Sequence, residues 1–301
     1  MQRNDRIVAE VISSPQNQWL KRFRTALSSP GAPLGGWIAV EGPRLVEEAL
    51  ETGLEISAIL ATDIGIQNLE QENQANPLTS FRGRLLRVSD RIFASVSGTE
   101  SPQGLAALLR PRDWQFDDLV SGGVPLIVAL AGVQDPGNVG TVIRSAEAFG
   151  ATGVVALRGT AHPLSAKALR ASAGSALRIP MLAGIAPPVA LAQFRSVGLQ
   201  ICAAHSGAAI SGTTKSSILA HDTVDFRVPV VIIVGSEGAG IPPDISRTAD
   251  QLVQIPISSS VESLNAATAA SIILFEASRQ RACLADTIPT KSRAARSQET
   301  P

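Results

Sequence analysis

The sequence has no tyrosine, only two cysteines, two methionines and three histidines, and no apolar run long enough to cross a bilayer. Each scarcity removes a class of protein. Cys202 and Cys283 cannot build a disulfide framework, so a reducing, cytoplasmic setting is the expectation. His162, His205 and His221 are scattered and no zinc-type spacing exists, so no metal is assigned. A membrane span needs roughly 18 consecutive apolar residues, and the polar, charged stretch Met1 to Glu10 stands where a secretory signal would be apolar. Neither common nucleotide fingerprint is found: no strand leads into G-x-G-x-x-G, and G-x-x-x-x-G-K-[ST] does not occur. Net charge is lacking as well, because 26 basic residues face 26 acidic ones. The chain therefore has no global basic excess of the kind that marks many nucleic-acid binders.

What remains is a chain of 301 residues with 45% hydrophobic content, enough for about two domains at roughly 150 residues each. The cancelled charge is unevenly spread. Arg3, Arg6, Lys21, Arg22 and Arg24 face only Asp5 and Glu10, and the arginines between Phe81 and Arg112 face only Asp90 and Glu100. Residues 1–112 alternate as a small α/β unit: a helix over Gln16 to Leu27, a strand Trp37 to Val40, a helix Pro43 to Glu51 and a strand Ile56 to Ala61. A polar loop from Gln67 to Pro77 follows, then Arg84 to Val88 as a strand, a short helix Asp90 to Val96 and a strand Leu105 to Leu109. Residues 113–124, ending in Ser121-Gly122-Gly123, read as a linker. Residues 284–301 are polar and aperiodic, and read as a loose tail.

Between them, residues 125–283 carry almost continuously apolar strands: Leu126 to Ala131, Gly153 to Leu157, Leu199 to Ala203, Val230 to Val234 and Gln251 to Ile255. Such runs suit a parallel sheet covered on both faces. Val139, Val142, Ile143 and Ala146, and less regularly Leu264, Ala267, Ile272 and Phe275, repeat at helical spacing. Polar turns at the carboxyl ends of buried strands are where open α/β sheets bind ligands, and three of these turns stand out. The first is Asp135-Pro136-Gly137-Asn138-Val139-Gly140, running through Arg144 into a helix; the second is Gly235-Ser236-Glu237-Gly238-Ala239-Gly240; the third is Ile255-Pro256-Ile257, then Ser263-Leu264-Asn265 opening an Ala-rich helix. Ser259 and Glu262 have the spacing of a capping box, and Asn138 stands where it could cap its own helix.

In this order the three segments resemble the SpoU family of RNA ribose 2′-O-methyltransferases, within the SPOUT superfamily. Asn138 to Gly150 fits the pattern N-x-G-x-x-x-R, Ile233 to Gly240 fits V-G-x-E-x-x-G, and Ile255 to Ala267 fits I-P-M followed by S-L-N, with Ile257 in place of Met. The stretch Lys167 to Ser175 looks like the intermediate segment of the same family. Ser14-Pro15-Gln16-Asn17 and Val40-Glu41-Gly42-Pro43-Arg44 resemble the substrate-binding domain often attached to it.

The resemblance implies an α/β chain whose C-terminal parallel-sheet domain is tied in a SPOUT trefoil knot and is preceded by a smaller α/β RNA-binding domain. It further implies S-adenosylmethionine as cofactor, a homodimer, and RNA as substrate, ribosomal RNA before transfer RNA. A non-catalytic RNA-binding protein of the same fold and an enzyme acting on small nucleotides are the rivals. Carried onto this chain, Arg144 is the principal catalytic residue, with Asn138, Glu237, Ser263 and Asn265 around the reaction centre. A guanidinium stays protonated in proteins, so its role is to stabilise charge and position the nucleotide rather than to act as a general base. Gly235 and Gly238 would let the chain approach the cofactor, and Ile255 and Leu264 would flank its adenine. Lys21, Arg22, Arg24, Arg44 and Arg170 are the candidate phosphate contacts, whereas Trp37 and Phe23 read as core.

Overall fold

The computed structural model describes residues 9–29, 35–71, 78, 81–206, 218–258, 261 and 263–285. Its first unit runs β1 (Glu10–Val11), α1 (Gln18–Ser28), β2 (Ile38–Glu41), α2 (Pro43–Glu51), β3 (Glu55–Ala61), α3 (Asp63–Gln71), β4 (Arg84–Arg87), α4 (Asp90–Ala94) and β5 (Leu105–Arg110). The strands form one sheet in the order β1-β4-β3-β5-β2, with β5 antiparallel to both of its neighbours. Helix α1 starts where the Asn17 side chain accepts the Trp19 N–H at 2.8 Å, and it buries Leu20, Phe23 and Leu27. That spacing is one stripe of a helix, and Phe23 is core as expected.

The polar loop expected at 67–77 gives way to α3 as far as Gln71. The Thr62 hydroxyl accepts the Gly65 N–H at 3.1 Å, and the Thr62 carbonyl accepts the Ile66 N–H at 3.0 Å. This cap starts a helix in a stretch whose polar residues read as loop. Residues 72–77 lie outside the described residues.

The second unit begins with α5 (Phe116–Val120) and continues β6 (Leu126–Ala131), α6 (Pro136–Ala148), β7 (Gly153–Leu157), α7 (Ala166–Ala171), a 3-10 turn Ser175–Leu177, β8 (Met181–Ile185) and α8 (Pro187–Ser196). It ends β9 (Gln200–His205), β10 (Ile218–Ala220), β11 (Val230–Gly235), α9 (Pro243–Ser246), β12 (Gln251–Gln254) and α10 (Ala266–Ala285). All ladders of the sheet β10-β12-β9-β11-β6-β7-β8 are parallel. Strands β6 and β7 are buried along their whole length, which is why their sequences do not alternate.

The stretch expected as a linker contains α5, and Leu119 of that helix is fully buried where Gly153 leaves room; a Cβ on Gly153 would stand 2.4 Å from Leu119 Cγ. One apolar cluster runs from α2 and the first sheet through β6 and α6 to α10, so the two units share a core. A second, with α8 and α9, covers the other face of the large sheet. Phe275, expected among the periodic apolar residues of the last helix, is instead 56% exposed and meets Phe149 edge-on with 5.7 Å between centroids. After β12, two strands away from β11, the chain returns as α10 to pack on α6 and β11.

Gly140 sets the crossing of α6 over α7, because a Cβ there would lie 2.3 Å from the Ala168 carbonyl oxygen and 2.6 Å from Ala171 Cβ. The glycine of the N-x-G pattern thus has a packing reason. Gly140→Ala is expected to lower the unfolding free energy by about 1–3 kcal/mol through overpacking, read as a reduced urea midpoint; an unchanged midpoint would contradict this packing.

Candidate active site

Strands β6 and β11 lie side by side, Gly235 opposite Ala131, so the loops that follow them leave the same edge of the sheet. After β6 the Asp135 carboxylate accepts the Gly137 N–H at 3.1 Å and Pro136 takes the first helical position of α6. Aspartate followed by proline is an N-terminal signature in its own right. The cap is therefore Asp135, and the capping role expected for Asn138 is corrected: Asn138 lies inside the first turn with its carboxamide free to act elsewhere.

That carboxamide joins all three segments. Asn138 Nδ2 donates to Glu237 Oε1, and Asn138 Oδ1 accepts from Asn265 Nδ2 at 3.2 Å. Asn265 in turn caps α10, its Oδ1 accepting the N–H groups of Ala267 at 2.9 Å and Thr268 at 3.2 Å. The Ser259–Glu262 pair proposed as that helix's capping box lies outside the described residues. Only a group that both donates and accepts can make these two bonds at once.

The loop carrying Glu237 closes on itself through Gly240 N–H to Ser236 carbonyl at 2.9 Å and Ser236 N–H to Gly240 carbonyl at 3.2 Å. Gly240 has φ +65, and a Cβ on Gly235 would lie 2.2 Å from the Gly240 carbonyl carbon. The bare α-carbon of Gly235 is thus needed by its own loop. Gly238 differs, with nothing among the described residues within 4 Å of the position a Cβ would take.

Ladder pairing of β12 stops at Gln254. Among the described residues, the main chains of the half-buried Ile255 and Leu264 make no hydrogen bond. Unpaired main-chain edges of this kind, like the bare backbone of Gly238, are groups that main-chain recognition of a nucleoside-like ligand uses.

Arg144, further along α6, is exposed and forms no ion pair among the described residues. Its two possible surface partners are engaged elsewhere: Glu147 is bound by Arg178, and Glu237 by Asn138. The structure thus brings together Asn138, Glu237 and Asn265, while Arg144 and the exposed Ser263 make no hydrogen bond to that cluster.

Of the expected RNA contacts, Lys21 and Arg44 are exposed, and Arg22 lies over the Trp19 ring at 4.8 Å. The exposed Arg24 gives its Nε to the Ser95 carbonyl at 3.2 Å. Arg170 is half-buried, with Nη1 shielded from solvent and without a hydrogen-bond partner among the described residues. The second basic patch is weaker than its sequence suggests, since Arg84, Arg87 and Arg110 pair with Glu10, Asp63 and Glu55.

Two features escaped the sequence reading. One is the Asp135–Lys167 ion pair at 2.7 Å, the other the Ser145–Ser271 hydroxyl contact at 2.7 Å that ties α6 to α10. Ser145 stands two turns beyond Asn138 on the same helix face, which spacing alone could have revealed.

The model of the SpoU rRNA methylase family matches residues 125–275, a span that contains all three segments, and the MRM3-like substrate binding domain matches residues 35–107. The chain belongs to the SpoU rRNA methylase family. Within it, a Synechocystis protein named as an uncharacterized tRNA/rRNA methyltransferase is 32% identical over 272 residues, 90% of this chain and 94% of that one. An rRNA methyltransferase from Sinorhizobium meliloti superposes with a TM-score of 0.74 at 29% identity, covering 90% of this chain and 98% of the other. An AdoMet-bound rRNA methyltransferase from Sinorhizobium meliloti gives 0.74 at 28% identity, again over 90% and 98%. An RNA 2′-O ribose methyltransferase gives 0.71 at 27% identity over 91% of this chain and 100% of its own.

Lys167, followed by the Gly137 N–H, holds the Asp135 carboxyl below its ordinary value. A depressed carboxylate pKa stabilises the fold above the unfolded value of about 3.9, and the contribution is lost as pH falls through the folded value. Asp135→Asn keeps an oxygen for the cap and loses the charge. The wild type is therefore expected to exceed the variant by less than about 1 kcal/mol at neutral pH, given the exposure of the pair. Urea midpoints should converge as the pH falls below the depressed folded value of Asp135; a gap that stays constant on acidification would contradict the assignment.

Proposed function

We propose that this SpoU-family protein transfers a methyl group from S-adenosylmethionine to the 2′-hydroxyl of a ribose in structured RNA, ribosomal RNA before transfer RNA. The observation that carries the reading is the Asn138 link: one side chain bonds the three segments together, and Arg144 on the same helix forms no ion pair among the described residues. The AdoMet-bound rRNA methyltransferase and the RNA 2′-O ribose methyltransferase among the similar structures support both the cofactor and the hydroxyl acceptor. The match to a substrate-binding domain over residues 35–107 supports RNA as the partner.

Bound here, the cofactor would supply a sulfonium methyl group, a donor that needs no metal. The main chains of Ile255 and Leu264 would hold its adenine edge, and the open side of Gly238 would give it room. In-line displacement requires the ribose oxygen to be aimed at the methyl carbon. Arg144 does this through its fixed fork of donors, aimed at the 2′-oxygen and the adjacent phosphate, and stabilises the negative charge that grows on that oxygen. Since a guanidinium stays protonated, the hydroxyl proton passes to phosphate or water. Glu237, fixed by Asn138, and Ser263 and Asn265 position the ribose.

Residues 1–112 form the RNA-gripping domain in this reading, residues 125–283 the methyltransferase domain, with 113–124 between them. The trefoil knot belongs to the same proposal; the return of α10 across the sheet from β12 to α6 is the kind of path it needs. So does a cytoplasmic homodimer, for which the exposed Phe275 beside Phe149 offers an apolar face. Among the described residues no helix is long and apolar enough to cross a membrane.

Wild-type protein given S-adenosylmethionine with a labelled methyl group is expected to label ribosomal RNA more than transfer RNA, at ribose 2′ positions, and to leave free nucleosides unlabelled. Arg144→Ala should cut the rate by about 10²–10³ while AdoMet binding persists. Unlabelled RNA, or wild-type turnover in the variant, would overturn the proposal.

A further inference from the structure

The segment after α7 has no part in the site described above, yet it lies between the two units. Arg178, just past the 3-10 turn, sends Nε and Nη2 to the two carboxylate oxygens of Glu147 at 2.7 and 2.8 Å, and Nη1 to Glu48. Glu147 is on α6 and Glu48 on α2, so one guanidinium spans the methyltransferase and substrate-binding units. All three side chains are largely withdrawn from water, at 35% exposure for Arg178, 24% for Glu48 and 31% for Glu147.

Gly174 makes the fit possible. Its φ is +89, and a Cβ there would press on Glu48 Cγ at 3.0 Å and Arg178 Nη1 at 3.1 Å. The carboxyl of Glu147 is held below its ordinary value chiefly by Arg178, and the guanidinium is held above its own chiefly by Glu147. Charge-assisted, bidentate and shielded bonds of this kind are stronger than ordinary surface pairs.

Both glutamates stand one helical turn from an arginine that the proposed function uses. Arg44 precedes Glu48 by four positions on α2, and Arg144 precedes Glu147 by three on α6. Residues at these spacings are neighbours on a helix surface, roughly 5–6 Å apart at Cβ. We propose that Arg178 is a positioning residue: by clasping Glu48 and Glu147 together it fixes the distance and angle between the RNA-gripping Arg44 and the reacting Arg144. This rests on the methyltransferase reading. Without the guanidinium two like charges are left at the seam, so its loss loosens the relative placement of α2 and α6.

Two arms test this, one of them independent of catalysis. In full-length protein carrying Cys283→Ser, spin labels at Gln18→Cys on α1 and Thr141→Cys on α6 should report one narrow distance, broadened by Arg178→Ala. The same substitution should lower kcat/KM for RNA at least tenfold through a raised KM, with the AdoMet Kd within twofold of wild type. Arg178→Lys should restore little of either, because an ammonium cannot bind two carboxylates in a fixed fork. Glu48→Gln, which keeps the Glu147 pair and so protects the fold, should shift both readouts in the same direction by less. A wild-type distance distribution in Arg178→Ala or, if that variant does not fold, in Glu48→Gln overturns the inference. RNA left unmethylated by the wild type would sink the methyltransferase reading alone, since the distance arm still decides whether Arg178 holds the units together.

Discussion

One carboxamide holds the site. Three segments reach the site from distant parts of the chain. What joins them is Asn138, donating to Glu237 and accepting from Asn265. The arrangement needs an amide in chemical terms. A carboxylate at that position would accept only and would face the charge of Glu237, while an aliphatic side chain would make neither bond.

Helix α6, which carries Asn138, is the beam to which the rest is fastened. Its start is fixed by Asp135 and Pro136, its crossing with α7 by the bare face of Gly140, its seat on α10 by Ser145 and Ser271, and its far end by Glu147 and Arg178. Arg144 lies on the same helix. A reacting guanidinium must keep its aim to a fraction of an ångström to be useful, and a helix pinned at both ends and at two points between is a rigid mount. The loop of Glu237 gains rigidity in another way, by closing on itself through Ser236 and Gly240.

The strands of the large sheet were legible because burial on both faces makes each a continuous apolar run, as in Leu126–Ala131 and Val230–Gly235. Its edges were not: β8 is interrupted by Gly184 and partly exposed, and β10 is three residues long. Helix α3 was hidden by the polar sequence from Gln67 onward and disclosed by the Thr62 cap. The three site segments could be read from residue type and order, but the work of Asn138 could not, because its partners Glu237 and Asn265 lie about a hundred residues or more away in sequence. The balanced charge misled in both directions. It concealed local basic residues, and it concealed also that Arg84, Arg87 and Arg110 are neutralised by acids brought to them only by the fold.

The most direct test of this account is calorimetric titration of S-adenosylmethionine into Asn138→Ala. The loops of Glu237 and Asn265 flank the proposed cofactor contacts, so their release should weaken binding at least tenfold, about 1.4 kcal/mol, while the unfolding midpoint stays near that of the wild type because Asp135 still caps α6. Wild-type affinity in a folded Asn138→Ala would contradict the account: the three segments would then hold their places without the link on which it depends.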